Sequence, residues 1–373
     1  MARRILGAAW RDDGSGGGHC VPHPTTYPWQ WLWDSCFHAV VWAHLGDQRA
    51  VTELRGALAG QDADGFVPHL QYGPGPHPHV GLWGRPRTSS ITQPPMYGHA
   101  ARVLVERGFA LDDDVLLRAR RGLRFLLHDR HRSRAGLVEL CHPWESGCDD
   151  SPRWDDALAG AWTRDRWFEC KGELVGSIER SPGGAPVHNP AFAIGSVGFS
   201  ALVAWNALEL APLIGDAQLR ADAEALVAAI DDRWDSSLHT WVDDGPTAAG
   251  SGRVRTLDSL LPLLVCPRDR AFDELLDPAA FGAAYGPTGV HRREPAYSAT
   301  TYWRGPAWPQ LTYLLWLAAT SSPRRGVADS LVRSMTLGAV ASGFAEYWDA
   351  DSGGALGAVP QSWTTLVCTV RTR

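Results

Sequence analysis

The sequence has no Cys-x-x-Cys pair, no run of eighteen apolar residues and no excess of basic charge. Its seven cysteines (20, 36, 141, 148, 170, 266 and 368) are scattered and odd in number. That excludes a disulfide framework and a zinc ribbon and fits a reducing compartment. With no long apolar run there is no case for a membrane span, and no leader pattern opens the chain, so a cytoplasmic protein is expected. A formal net charge of −6 and a pI near 6.1 argue against a nucleic-acid partner. The one basic stretch, Arg118 to Arg134, has a helical period and reads as a solvated helix face. No short repeat marks a solenoid. No glycine-rich phosphate loop follows a strand and no EF-hand-like ligand run exists, so no cofactor and no metal are expected. His19 and His23 are four apart, but Pro22 between them denies the helix a metal pair would need. Nothing in the pattern assigns an oligomeric state.

What is abundant is tryptophan, 18 residues in 373. In an acidic chain that is a hint of carbohydrate binding, although large cores also use Trp. Helical periods dominate. A helix is predicted from Trp33 to about Leu45, with Asp34 in its first turn, where a carboxylate suits the helix dipole or lines a pocket. Others follow over about 48–58, 97–104, 112–128, 157–168, 189–210 (stopped by Pro212), 217–230, 256–265, 270–276, 306–319, 327–339 and 362–370. Clear strands are few, the best being Thr240-Trp241-Val242. Residues 1–26 read as an irregular segment, and 60–92, rich in Gly and Pro, as a rim or lid over a pocket. Paired helices separated by long loops suggest an all-α toroid, an (α/α)6 barrel, folded as one domain over 1–373.

The most unusual stretch runs from Trp144 to Asp155, Trp-Glu-Ser-Gly-Cys-Asp-Asp-Ser-Pro-Arg-Trp-Asp. Four acids lie within eleven residues, broken by Gly and Pro and flanked by Trp, so it is a loop. A plain acidic surface loop is one reading. The other is a site where a sugar ring stacks on an aromatic face and a carboxyl has its pKa raised. A second loop, Phe344 to Gly354, also mixes acids with aromatics, and there Glu346 is embedded among Phe, Tyr and Trp. Glycoside hydrolysis needs two carboxyl groups flanking one bond, about 6.5–9.5 Å apart in an inverting site to leave room for water.

Taken together, YPWQWLWDSCFHA, SITQPP, WESGCDDSPRWD, YWRGPAW and FAEYWDADSGG with the later QSW resemble glycoside hydrolase family 63, in particular its bacterial mannosylglycerate and glucosylglycerate hydrolases. The motifs keep the family's order and span 27–363. The resemblance implies an (α/α)6 barrel, an inverting mechanism on small α-linked glycosides, Asp149 as general acid and Glu346 as general base. It implies sugar contacts from Trp31, Trp33, Asp34, Gln93, Trp144, Tyr302, Trp303, Gly305 and Trp308, and aglycone contacts from Tyr27 and Gln361. Glu145 and Asp150 are rival acids. Between Trp154 and His188 the chain is shortened. Relatives that bind glycerate have an Arg and a Tyr there; here Arg180 is a substitute, but no Tyr lies between it and His188. Two rival functions share the pattern. A sugar epimerase or isomerase would shuttle protons through a His, with His142 the candidate, and a carbohydrate-binding protein would show no turnover.

Overall fold

A computed structural model describes residues 1–14, 17–73, 77, 79–157, 162–245 and 250–372. Twelve α-helices are described: α1 (Ala2–Ala9), α2 (Leu32–His44), α3 (Arg49–Ala59), α4 (His79–Trp83), α5 (Tyr97–Glu106), α6 (Asp113–Arg124), α7 (Arg164–Gly176), α8 (Val197–Ile214), α9 (Ala217–Asp231), α10 (Asp269–Leu276), α11 (Pro309–Thr320) and α12 (Arg325–Ala341). Two 3₁₀ segments, Leu257–Leu264 and Ser362–Cys368, complete the ring. In order, α2, α5, α8, Leu257–Leu264, α11 and Ser362–Cys368 each pack on the next, and the last packs on α2. This closed inner ring of six is wrapped by α3, α6, α9, α10, α12 and α1, giving the (α/α)6 toroid.

Burial follows that layering. Twelve of the thirteen residues of α2 are buried, because an inner helix touches protein all round. Outer α9 buries only Leu219, Ala223, Leu226 and Ile230, a single stripe at helical spacing. α8 is long and apolar enough to cross a membrane by length and composition, but two-thirds of it is buried inside the barrel. Helix ends obey local chemistry. The Asp112 carboxylate accepts from Val115 N at 2.9 Å, with Asp113 and Asp114 in the first turn of α6 and Arg121 and Arg124 in its last.

Several expectations are corrected. Residues 1–26 are not irregular: α1 and a hairpin of Trp10–Asp12 with Gly18–Cys20 occupy much of them. α1 buries Leu6 and Ala9 against Ser362–Cys368 and is the outer partner of the last inner segment. The helix expected over 157–168 is shifted. Residues 158–161 lie outside the described ones, and α7 starts later, where the Thr163 hydroxyl caps Arg166 N. Pro212 does not stop α8, which ends at Gly215 (φ 65°); in the last turn a proline costs a single backbone bond. α11 begins at Pro309, because Ala307 is instead bonded in extended form to Trp348 (N to O, 2.8 Å). Over 257–264 and 362–368 the helices are 3₁₀; Pro262 interrupts the first.

Among the described residues strands occur as six antiparallel two-stranded ribbons, Thr240–Trp241 among them. Three serve the site: Gln30–Trp31 with Leu70–Gln71, Glu139–Leu140 with Ile194–Gly195, and Tyr347–Trp348 with Ala355–Leu356. The 60–92 stretch, of which 74–76 and 78 are not described, carries α4. It builds a second small core in which Tyr72 and Trp83 pack with Trp31 and Trp144 beside the barrel end.

Candidate active site

The N-terminal ends of the inner segments converge on a cavity of about 420 Å³, mouth included. It is lined by Pro22, Tyr27, Trp31, Trp33, Asp34, Gln93, Gly147, Asp149, Tyr302, Trp303, Glu346, Gln361 and Trp363. A wider concavity at the opposite ends of the inner helices, lined by His99, Trp205, Tyr313 and Trp316 among others, contains none of these.

Each carboxyl is held by its own scaffold. Asp149 sits on a loop tied at both ends. The Trp167 indole donates to the Asp149 carbonyl at 3.2 Å, and the Trp154 indole to the Cys148 carbonyl at 2.8 Å. Gly147 takes φ 73°, and a Cβ there would lie 2.6 Å from the Trp33 ring, so glycine alone lets the loop cross that tryptophan. Protein crowds the Asp149 carboxyl while leaving it open to the cavity. Burial pushes it up to about 7; Lys171 opposes this, and the charges of Asp150 and Glu346 add to it. Glu346 is 3% exposed. Burial pushes it up to about 7 as well, but Ala358 N donates to Oε2 at 3.0 Å, and the Tyr27 hydroxyl lies 3.2 and 3.4 Å from its two oxygens. The two environments differ in kind. Glu346 has two hydrogen-bond donors that stabilise an anion, whereas Asp149 has two neighbouring anions that favour a proton, opposed by Lys171.

Asp34 is also buried. Desolvation pushes its carboxyl well up, with Glu346 adding to it, and its Oδ1 has no protein partner. Trp31 Nε1, Trp303 Nε1 and Gln361 Oε1 are likewise buried without a protein partner. Two donors and two acceptors left open on one small cavity are what a polyhydroxyl ligand would fill. Trp303 holds a left-handed backbone (φ 55°), a strained conformation for a bulky residue, and stacks flat on Trp308 with ring centroids 3.5 Å apart.

The chain aligns from 27 to 364 with a family model described as a mannosylglycerate hydrolase MGH1-like glycoside hydrolase domain. The chain belongs to that family. It is 30% identical to a mannosylglycerate hydrolase of Thermus thermophilus, over 96% of this chain and 98% of the relative. It is also 30% identical to a glucosylglycerate hydrolase of Mycolicibacterium hassiacum, over 91% of each. The crystal structure of a family 63 mannosylglycerate hydrolase, also from Thermus thermophilus and in complex with Tris and D-glycerate, superposes with a TM-score of 0.85 at 25% identity, covering 100% of this chain and 99% of that one. The protein is a glycoside hydrolase of the family 63 branch.

Within this family frame, ten of the thirteen residues singled out from sequence line the cavity: Tyr27, Trp31, Trp33, Asp34, Gln93, Asp149, Tyr302, Trp303, Glu346 and Gln361. Trp308, Gly305 and Trp144 do not. Trp308 is fully buried between Trp303 and Tyr347 and backs the wall. A side chain at Gly305 would run into the Ser298 carbonyl, so it serves the backbone turn. Trp144 packs on Trp83 and His142 beside the cavity. Arg180, the proposed substitute, donates to the Ser90 carbonyl at 2.9 Å and hydroxyl at 3.0 Å, outside the lining.

The rival acids are both engaged. Glu145 receives a fork from Arg130 (2.6 and 3.0 Å) and accepts from Thr92 N and Cys141 N, tying the acid loop to the segment that carries Gln93. Asp150 accepts from Lys171 at 2.5 Å. His142 has both ring nitrogens taken, Nε2 donating to the Lys171 carbonyl at 2.8 Å and Nδ1 accepting from Trp144 N at 3.1 Å, and burial lowers its pKa to about 3. It is therefore no proton shuttle, and among the described residues no His lines the cavity.

Sequence reasoning missed Pro22, Gly147 and Trp363 as lining residues and Lys171 as the cation beside the acid loop. A signal existed for the last: Lys171 is the only lysine in the chain. Among the described residues two clusters could hold a cation, Cys20 with His38 and Glu53, and His131 with Glu139 and His188; both lie outside the cavity lining.

Proposed function

We propose that the enzyme hydrolyses a small α-glucoside or α-mannoside with inversion, Asp149 being the general acid and Glu346 the general base. Asp149 Oδ–H protonates the glycosidic oxygen as the C1–O bond breaks. Glu346 takes a proton from a water whose oxygen attacks C1 from the opposite face. The products are the free sugar, with its anomeric centre inverted, and the aglycone alcohol.

The observation that carries the reading is the asymmetry between two carboxyls on one cavity. Both are raised to about 7 by burial, but Glu346 accepts from Ala358 N and the Tyr27 hydroxyl, whereas the charges of Asp150 and Glu346 push Asp149 toward its protonated form against the pull of Lys171. That difference in partners favours a proton on Asp149 and a charge on Glu346, the division an inverting site needs. A binding protein without turnover has no use for carboxyls brought to that range, where each costs stability when ionised. The cysteines, all free, support a reducing, cytoplasmic setting.

α-Glycosyl fluorides separate the two roles, because fluoride leaves without a proton. Asp149→Asn is expected to lose about 10²–10⁴-fold in kcat on an O-glycoside and to keep most of its fluoride turnover, while Glu346→Gln loses both. Equal loss on both substrates in Asp149→Asn would contradict the acid assignment.

A further inference from the structure

Three carboxyl groups line the cavity (Asp34, Asp149 and Glu346), and among the described residues no Lys or Arg does. Three cations around this end of the barrel are paired with acids outside the lining. Lys171 is paired with Asp150, Arg130 with Glu145 and Arg304 with Asp155. Arg180 is bonded to Ser90. Arg164 is exposed at the start of α7, near enough to act on the charge of Tyr347, and is not itself a lining residue. The fully buried polar atoms of the lining without a protein partner include two indole N–H donors, a carboxyl oxygen and an amide oxygen. Hydroxyl groups, which both donate and accept, match that set; a carboxylate, which only accepts, matches half of it.

From this charge distribution we infer that the aglycone released by the enzyme is a neutral hydroxylated group, a polyol or sugar, and not a carboxylate such as glycerate. The inference rests on the hydrolase reading above and sets this chain apart from relatives named for glycerate glycosides. A carboxylate entering the cavity would give up its hydration, meet no cation in the lining and face the ionised Glu346. A neutral hydroxyl group in the same place meets none of these penalties.

The test uses the full chain and matched pairs: α-mannosyl and α-glucosyl glycerol against the corresponding glycerates, which differ by CH₂OH for COO⁻. An α-glycosyl fluoride of each sugar reports the chemistry independently. For the preferred sugar, kcat/KM on the glycerol-linked member is expected to exceed the glycerate-linked one by about tenfold or more at low salt. The gap should narrow as salt screens the repulsion. Fluoride turnover with no advantage for the glycerol-linked member overturns the aglycone inference alone. No turnover on fluorides or on either pair overturns the hydrolase reading itself. Arg164→Ala and Arg180→Ala are expected to leave the glycerol-to-glycerate ratio unchanged. A selective loss of about tenfold on the glycerate-linked member in either variant would identify that arginine as a carboxylate anchor and overturn the inference.

Discussion

Replacing Tyr27 by Phe removes the hydroxyl that faces both oxygens of Glu346 and leaves the Ala358 amide as the carboxylate's other donor. Charge-assisted hydrogen bonds are usually about 2.7–2.9 Å. At 3.2 and 3.4 Å, with one hydrogen shared, this contact belongs at the low end of its class, about 1–1.5 kcal/mol. At 1.36 kcal/mol per pKa unit, losing it raises Glu346 by about 0.7–1 unit from about 7. The base works only when ionised, so the acidic limb of the pH profile moves upward by that amount. One unit below the wild-type limb, the ionised fraction, and with it kcat/KM, falls about five- to tenfold. The assay is kcat/KM against pH on an α-glycosyl fluoride, whose departure does not depend on Asp149 and which isolates the Glu346 limb. An acidic limb that stays in place, with kcat/KM lowered equally at every pH, would refute the reasoning and reduce Tyr27 to a substrate contact.

Asp149→Asn also tests the burial of the acid. The native carboxyl holds its proton to about 7, whereas the unfolded one loses it near 3.9, so the native state loses stability as pH rises from about 4 to about 7. The amide cannot ionise, so the variant's Tm should exceed wild type at pH above 7 and converge with it near pH 4; a pH-independent difference would contradict the burial argument. Arg130→Met leaves Glu145 buried and uncompensated and should cost about 3–5 kcal/mol in chemical denaturation; a loss under about 1 kcal/mol would mean that the clamp does not hold the loop. Gly147→Ala must displace Trp33, which its Cβ would approach to 2.6 Å at φ 73°. It should lower stability by about 1–3 kcal/mol and raise KM, checked by thermal melts and steady-state kinetics.

The loops that carry the chemistry were legible because their acids sit among tryptophans and resist any helical period, and because their motifs keep one order from 27 to 363. Inner helices such as α2 and α8 were legible as long apolar runs. What stayed hidden depends on distant partners. α1, at 8 residues, is too short to announce itself; it becomes the twelfth segment only by covering Ser362–Cys368 at the far end of the chain. Glu145 reads as a rival acid until Arg130, fifteen residues upstream, is seen forking onto it. Trp308 and Trp303 look alike in sequence, yet one backs the wall and the other faces the cavity, since which face an aromatic presents follows from the strained turn at Trp303. The tryptophan excess had two causes. Trp42, Trp154, Trp167, Trp241, Trp308 and Trp348 are fully buried core, and Trp31, Trp33, Trp303 and Trp363 line the cavity.

The most direct measurement is proton NMR of the sugar in the first minutes of hydrolysis, before mutarotation. A single displacement by water activated at Glu346, with Asp149 protonating the departing oxygen, predicts that an α-glycoside releases the β-anomer first. Initial release of the α-anomer would mean two displacements through a covalent intermediate and would contradict the assignment of acid and base made here.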